Sequence, residues 1–319
     1  MTGTTEPGVV VVSIDTEQIW GYLDCLNEAE FEARFPYAPE AHPKLLARLC
    51  AAGVRATWLV VGGLALRRDG PGLGRLGSPI AERIRIPAGD EASAPLWYCW
   101  SFLEQLRWAC PAQEIGLHGG LTHLVWTDPQ VTREMVRSEL REGLAALARL
   151  DVRPRSFSYP RNLEAYHDLL PEHRIRCFRG APPALAWRLG RTFSGAMLRA
   201  WDELRCAPPP LVSPREVMPD LWTLPSSMFL YPIGPARARL IGVRSRVERF
   251  SRGLEAAARR RGIFHFSFHP ENLVESPLGF DLLDEILEKL VTSRRRGDIE
   301  VMTMSEVVTC VERESLHAI

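Results

Sequence analysis

The sequence predicts an α/β protein of the β/α-barrel type. Three observations predict it. Short apolar runs of strand length alternate with longer stretches at helical spacing. Those runs read as continuously apolar rather than alternating, as strands of a buried parallel sheet do. Polar residues follow the ends of several runs, which is where a β/α barrel gathers its functional side chains. At 319 residues, the chain fits one domain spanning 1–319 with an insertion over 67–111.

Val9 to Ile14 is the first strand, a β-branched run that ends at Asp15. Pro39 to Ala52 carries Leu45, Leu46 and Leu49 at helical spacing and stops before Gly53. Val54 to Val61 is the second strand, closed by Gly62-Gly63. The alternation then lapses into the 67–111 insertion, rich in Gly, Pro and Arg, with helix expected near its end. Glu114 to Leu117 leads to His118. Asp128 to Leu150 is an amphipathic helix, with Asp128 as its N-cap and Pro129 at its first position. Further strands are Ser156–Tyr159, Arg176–Phe178, Leu221–Leu224, Ile263–Phe268 and Ile299–Met302. Helices are expected over 236–261, 281–295 and from Ser305.

Composition narrows the function. Lys plus Arg and Asp plus Glu both number 39, so nothing favours a nucleic-acid or acidic-lipid partner. Lys44 and Lys289 are the only lysines among those basic residues. The seven cysteines are odd in number, irregular in spacing and without a CxxC pair, against a disulfide framework or a thiolate zinc site. They are expected to be reduced and mostly buried. The N-terminal segment has neither a basic region nor an apolar core, and no apolar stretch approaches ~20 residues. A cytoplasmic protein without a membrane span is the expectation.

The residues at the strand ends form a coherent chemical set. Asp15 and Glu17, two residues apart at the end of an extended run, share one face. Adjacent carboxylates raise each other's pKa, and a divalent metal gives a reason for the pair: one ligates and the other serves as base. His118 and His123 lie in Glu-Ile-Gly-Leu-His-Gly-Gly-Leu-Thr-His, where Gly119 and Gly120 let the loop bend both rings together. Two imidazoles and one carboxylate leave coordination positions free for substrate, as a catalytic zinc site requires. Arg161, in Ser-Tyr-Pro-Arg-Asn, can orient a carboxylate or bind substrate. His269 ends the Phe-His-Phe-Ser-Phe-His run and suits a general acid, while His265 within it reads as structural. No Gly-rich phosphate loop argues for a nucleotide cofactor, and no GxSxG elbow for a serine hydrolase.

Ser13-Ile-Asp-Thr-Glu17, Ala56-Thr-Trp-Leu-Val-Val-Gly62, Glu114-Ile-Gly-Leu-His118, Tyr159-Pro-Arg-Asn162, Cys177-Phe-Arg-Gly180 and Phe264 to Asn272 together resemble the polysaccharide deacetylase superfamily. The motifs occur in order across roughly residues 9–304. The resemblance implies a distorted, seven-stranded β/α barrel. It also implies a metal held by one acid and two histidines. Carried over by motif, Asp15 is the base, His118 and His123 are metal ligands, His269 is the general acid and Arg161 the arginine that orients the aspartate. Familiar members have adjacent aspartates in the first motif, whereas here Thr16 separates Asp15 from Glu17, which takes the ligand acid's place. The histidine pair is one residue wider than the family's usual spacing.

The implied activity is hydrolysis of an acyl group, acetyl in the simplest case, from the nitrogen of an amino sugar or sugar-containing small molecule, with zinc as the metal. Trp97, Tyr98 and Trp100 are read either as a sugar-stacking platform or as core of the insertion. Two other readings share the fold: a metal-free amide or ureide hydrolase, and a repurposed member that binds a pathway intermediate without turnover.

Overall fold

The computed structural model describes residues 6–66, 86–87, 89–183, 192–231 and 242–317. The strands are β1 (Gly8–Thr16), β2 (Thr57–Val60), β3 (Glu114–His118), β4 (Ser156–Ser158), β5 (Cys177–Arg179), β6 (Arg215–Met218), β7 (Leu221–Thr223), β8 (Met228–Phe229), β9 (Ile263–Phe268) and β10 (Ile299–Met302). They form one sheet in the order β6-β7-β5-β4-β3-β2-β1-β9-β8. β10 shares an edge of β1 with β2: Gly8–Val11 pair with Ile299–Met302, and Ser13–Thr16 with Thr57–Val60. All pairings are parallel except that of β6 with β7.

The sheet is curled into an open half-barrel. Arg179 of β5 bonds Asp15 of β1 at 2.6 Å, although four strand spacings, about 19 Å in a flat sheet, separate the two along the strand order. β1 is apolar through Val9–Val12 and lies between β9 on one edge and β10 and β2 on the other. Because the strands run parallel, β1, β3, β4, β5 and β9 all deliver their C-terminal ends to one rim.

Helices cover the sheet. They are α1 (Glu28–Arg34), α2 (Ala38–Ala51), α3 (Trp100–Arg107), α4 (Arg133–Ala148), α5 (Leu169–Glu172), α6 (Phe193–Leu204), α7 (Val243–Arg260), α8 (Gly279–Arg295) and α9 (Met304–His317). α7 packs against β1, β9 and α8, with Val247, Phe250 and Leu254 buried. None of the described helices is long and apolar enough to cross a membrane.

Every strand expected from sequence is present. β6 and β8 are additional: β6 is largely exposed and has no apolar run, and β8 has two residues. α4 begins later than expected. Its N-cap is Thr132, whose Oγ1 accepts from Met135 N, whereas Asp128 accepts from Gln130 N in a preceding turn and Pro129 lies outside the helix. The stretch 67–111 carries the expected helix, α3; residues 67–85 and 88 lie outside the described set, as do 236–241 of the helix expected over 236–261. The cysteines are all free, but only Cys99 and Cys177 are buried, and Cys25, Cys110 and Cys310 are exposed on loops or helix surfaces.

His42 on α2 lies fully buried against Phe102 of α3, and its Nδ1 donates to Ala38 O at 3.2 Å. Burial lowers its pKa to about 4. The unfolded chain therefore takes up a proton near pH 6.5 that the folded chain resists until about 4, and stability is lost as pH falls through that window. The loss from this one group amounts to ~3 kcal/mol. In thermal melts, His42→Leu is expected to be less acid-sensitive than wild type between pH 6.5 and 4; parallel pH profiles would contradict this.

Candidate active site

Asp15 and Glu17 are both buried at the end of β1, at 3% and 2% exposure. Their i, i+2 spacing points both into the same cup, where His269 bridges them: Nε2 lies 3.3 Å from Asp15 Oδ2, and Nδ1 lies 3.2 Å from Glu17 Oε1. Gly21 leaves room for Glu17. A Cβ there would fall 2.1 Å from the Glu17 carboxyl carbon.

β3 ends on His118, and the following loop brings back His123, so that the rings meet edge to face at 4.8 Å. Gly119 makes this return with φ at +69, where a Cβ would also press Pro160 and Thr122 O at 2.9 Å. On the far side of the loop, buried Glu139 of α4 accepts from Thr122 N at 2.7 Å and Thr122 Oγ1 at 3.0 Å.

Glu17, His118 and His123 converge with their ligand atoms all within 4.8 Å of one another. Glu17 Oε2 is 2.9 Å from His118 Nε2 and 3.2 Å from His123 Nε2. His118 Nδ1 lies 3.0 Å from the Ser158 carbonyl, a pure acceptor, and 2.7 Å from Ser158 Oγ, which can donate or accept. With the ring proton on Nδ1 toward that carbonyl, Nε2 offers its lone pair at the point where Glu17 and His123 also meet. A divalent cation satisfies all three donors at once, and a carbonyl fixing the opposite nitrogen is the usual support of a metal-bound imidazole. The residues therefore fit a metal.

Charge balance sets the protonation states. Burial raises the Asp15 carboxyl, but the Arg179 guanidinium, with His118 and His269, outweighs it and holds Asp15 well below the usual range. Glu17 is likewise raised by burial and lowered further by His269, His123 and His118, ending well below its ordinary value. Burial lowers His123 more than Glu17 raises it. His269 is lowered by burial yet lifted to about 9 by Glu17 and Asp15. His265 is fully buried, with Nε2 2.8 Å from Ser13 Oγ and Nδ1 3.0 Å from Pro225 O, a structural placement; burial drops its pKa to about 3.

One sequence expectation is corrected. Arg179, not Arg161, holds Asp15: Nη1 and Nη2 donate to the two carboxylate oxygens at 2.7 and 2.6 Å. Arg161 instead binds Asp24 and donates to Gly21 O at 2.9 Å, because left-handed backbone at Arg161 and Asn162 (φ 58 and 55) directs it to the loop after β1. Arg179 stands at the end of β5 inside the Cys177–Gly180 motif, a strand-end position that Arg161 shares after β4, so position alone does not separate them. Of the two readings of Trp97, Tyr98 and Trp100, the core reading holds for Trp97 and Tyr98, and Trp100 is half-buried. Trp97 and Tyr98 are buried, Trp97 edge-on to Trp20 at 5.3 Å with its carbonyl accepting from Trp20 Nε1, and Tyr98 donating to Pro87 O.

No protein-family model matches the sequence, and no curated protein matches it. Solved structures do. A Mycobacterium smegmatis protein assigned as a polysaccharide deacetylase superposes with a TM-score of 0.65 over 99% of this chain and 94% of that one, at 17% identity. This chain has the fold of the polysaccharide deacetylases. A second protein with that assignment, from Pseudomonas aeruginosa PAO1, gives 0.59 at 10% identity over 98% of this chain and 96% of that one. An allantoinase gives 0.57 at 10% identity over 96% and 93%. At these identities the likeness is one of fold.

Removing Arg179 strands a buried carboxylate, so Arg179→Met is expected to cost ~3–5 kcal/mol in urea unfolding. Arg161→Met breaks a pair whose side chains are 26% and 46% exposed, and is expected to cost under ~1 kcal/mol. Equal costs would contradict the assignment of Asp15 to Arg179.

Proposed function

We propose that the protein is a metal-dependent N-deacylase that removes an acyl group, acetyl in the simplest case, from the nitrogen of an amino sugar or sugar-containing small molecule. Residues 1–319 are read as one deacetylase-like barrel domain, with 67–111 inserted in it. The observation that carries the reading is the meeting of Glu17, His118 and His123 on one point, with the Asp15 carboxylate and His269 beside it. The deacetylase fold supports it.

A divalent metal, zinc by the imidazole-rich donor set, would be held by Glu17, His118 and His123 and would supply a Lewis acid that polarises the scissile carbonyl. The Ser158 carbonyl and hydroxyl hold His118 Nδ1 and so aim Nε2 at the metal position. Asp15, held flat by Arg179, accepts the proton of the attacking water at Oδ2. His269 sits 3.3 Å from that oxygen and hands a proton to the departing nitrogen. The bidentate Arg179 keeps Asp15 from swinging onto the metal ligands and fixes the direction of its free lone pairs.

The allantoinase likeness keeps the metal-free ureide hydrolase as the competing reading, and chelation separates the two. Acetate release from N-acetylated amino sugars should vanish on dialysis against a strong chelator and return with zinc. His118→Ala is expected to lower turnover by at least ~100-fold in a folded protein. Turnover that survives both treatments overturns the metal-dependent reading.

A further inference from the structure

Among the buried carboxyls outside the catalytic set, one bonds the turn that follows Glu17. Glu271, two residues after His269, is fully buried, and its Oε1 accepts from Gln18 N at 3.0 Å. Gln18 follows Glu17 directly and has φ at +43, a left-handed backbone that a non-glycine residue adopts at a cost of ~1–2 kcal/mol. Its own side chain is clamped as well: its carboxamide nitrogen donates at 2.8 Å to the carbonyls of Pro95 and Leu96.

The other face of Glu271 contributes little to stability. Oε2 has no hydrogen-bond partner among the described residues, nor has Nε2 of the buried His42, which lies 3.7 Å from Glu271 Oε1. Unpartnered buried polar atoms of this kind each cost ~1–3 kcal/mol. Beyond its own backbone N–H, the carboxyl bonds the strained N–H of Gln18, and that is the contact through which it reaches the site.

We propose that Glu271 is a positioning residue for the metal ligand Glu17: by holding Gln18 N–H it keeps the turn left-handed and the Glu17 carboxylate on His118 and His123. The inference rests on the metal-binding reading above. Burial pushes the Glu271 carboxyl up to about 8, toward the neutral form that glutamine imitates in size and in its acceptor oxygen.

The test is zinc affinity of the full chain, measured by competition with a chromophoric chelator, alongside melting of the metal-free protein. Glu271→Gln is expected to bind zinc within about threefold of wild type, while Glu271→Met, similar in size but without an acceptor, weakens it ~10–100-fold. Placed in a Gln18→Gly background, where positive φ carries no penalty, Glu271→Met should lose less. Should Glu271→Met not fold, Glu271→Asp withdraws the acceptor by one methylene and is expected to weaken zinc in the same direction. Wild-type affinity in Glu271→Met, or in Glu271→Asp where that variant decides, overturns the role, as does an equal loss in both backgrounds. A wild type that takes up no zinc overturns instead the reading of the site itself.

Discussion

Two carboxylates buried side by side at the end of one strand are the constraint on which the rest of the rim depends. Asp15 and Glu17 cannot both be ionised in a dry cup without compensating positive charge and hydrogen-bond donors. The structure supplies them from every direction: Arg179 from β5, His118 and His123 from β3 and its loop, and His269 from β9. The curl of the sheet is what brings these groups within reach, since Arg179 and Asp15 would be far apart on a flat one.

The two acids differ in what surrounds them, and this divides their chemistry. Asp15 has both oxygens taken by a guanidinium and one shared with His269, so it is fixed in place and stays ionised. Glu17 faces the Nε2 atoms of two imidazoles, His118 and His123. The first environment suits a positioned proton acceptor and the second a ligand to a cation. The loops behind them are built to hold this difference: Gly21 leaves space for the Glu17 carboxyl, and the Trp20–Trp97 contact braces the turn from the insertion.

Much of this was legible in the sequence, for a physical reason. Strands such as Val9–Ile14 and Ile263–Phe268 are buried on both faces, and their apolar runs end abruptly at Asp15 and His269, so position on the rim can be read directly. What failed depended on long-range geometry. Arg161 and Arg179 both follow strands, and nothing local says which one crosses the cup; that choice is made by the curl and by left-handed backbone at Arg161. The aromatic patch at Trp97 and Tyr98 reads equally as platform or core until its partner Trp20 is known. β6 was invisible because exposed residues carry no burial pattern.

The central claim is that Glu17, His118 and His123 hold a divalent cation while Asp15 stands free of it. Anomalous diffraction at the zinc absorption edge, from crystals of the zinc-loaded protein, tests it most directly. The account predicts one strong peak bonded to Glu17, His118 and His123, with Asp15 still held by Arg179. A peak ligated by Asp15 in place of Glu17, or no peak among these residues, would contradict it.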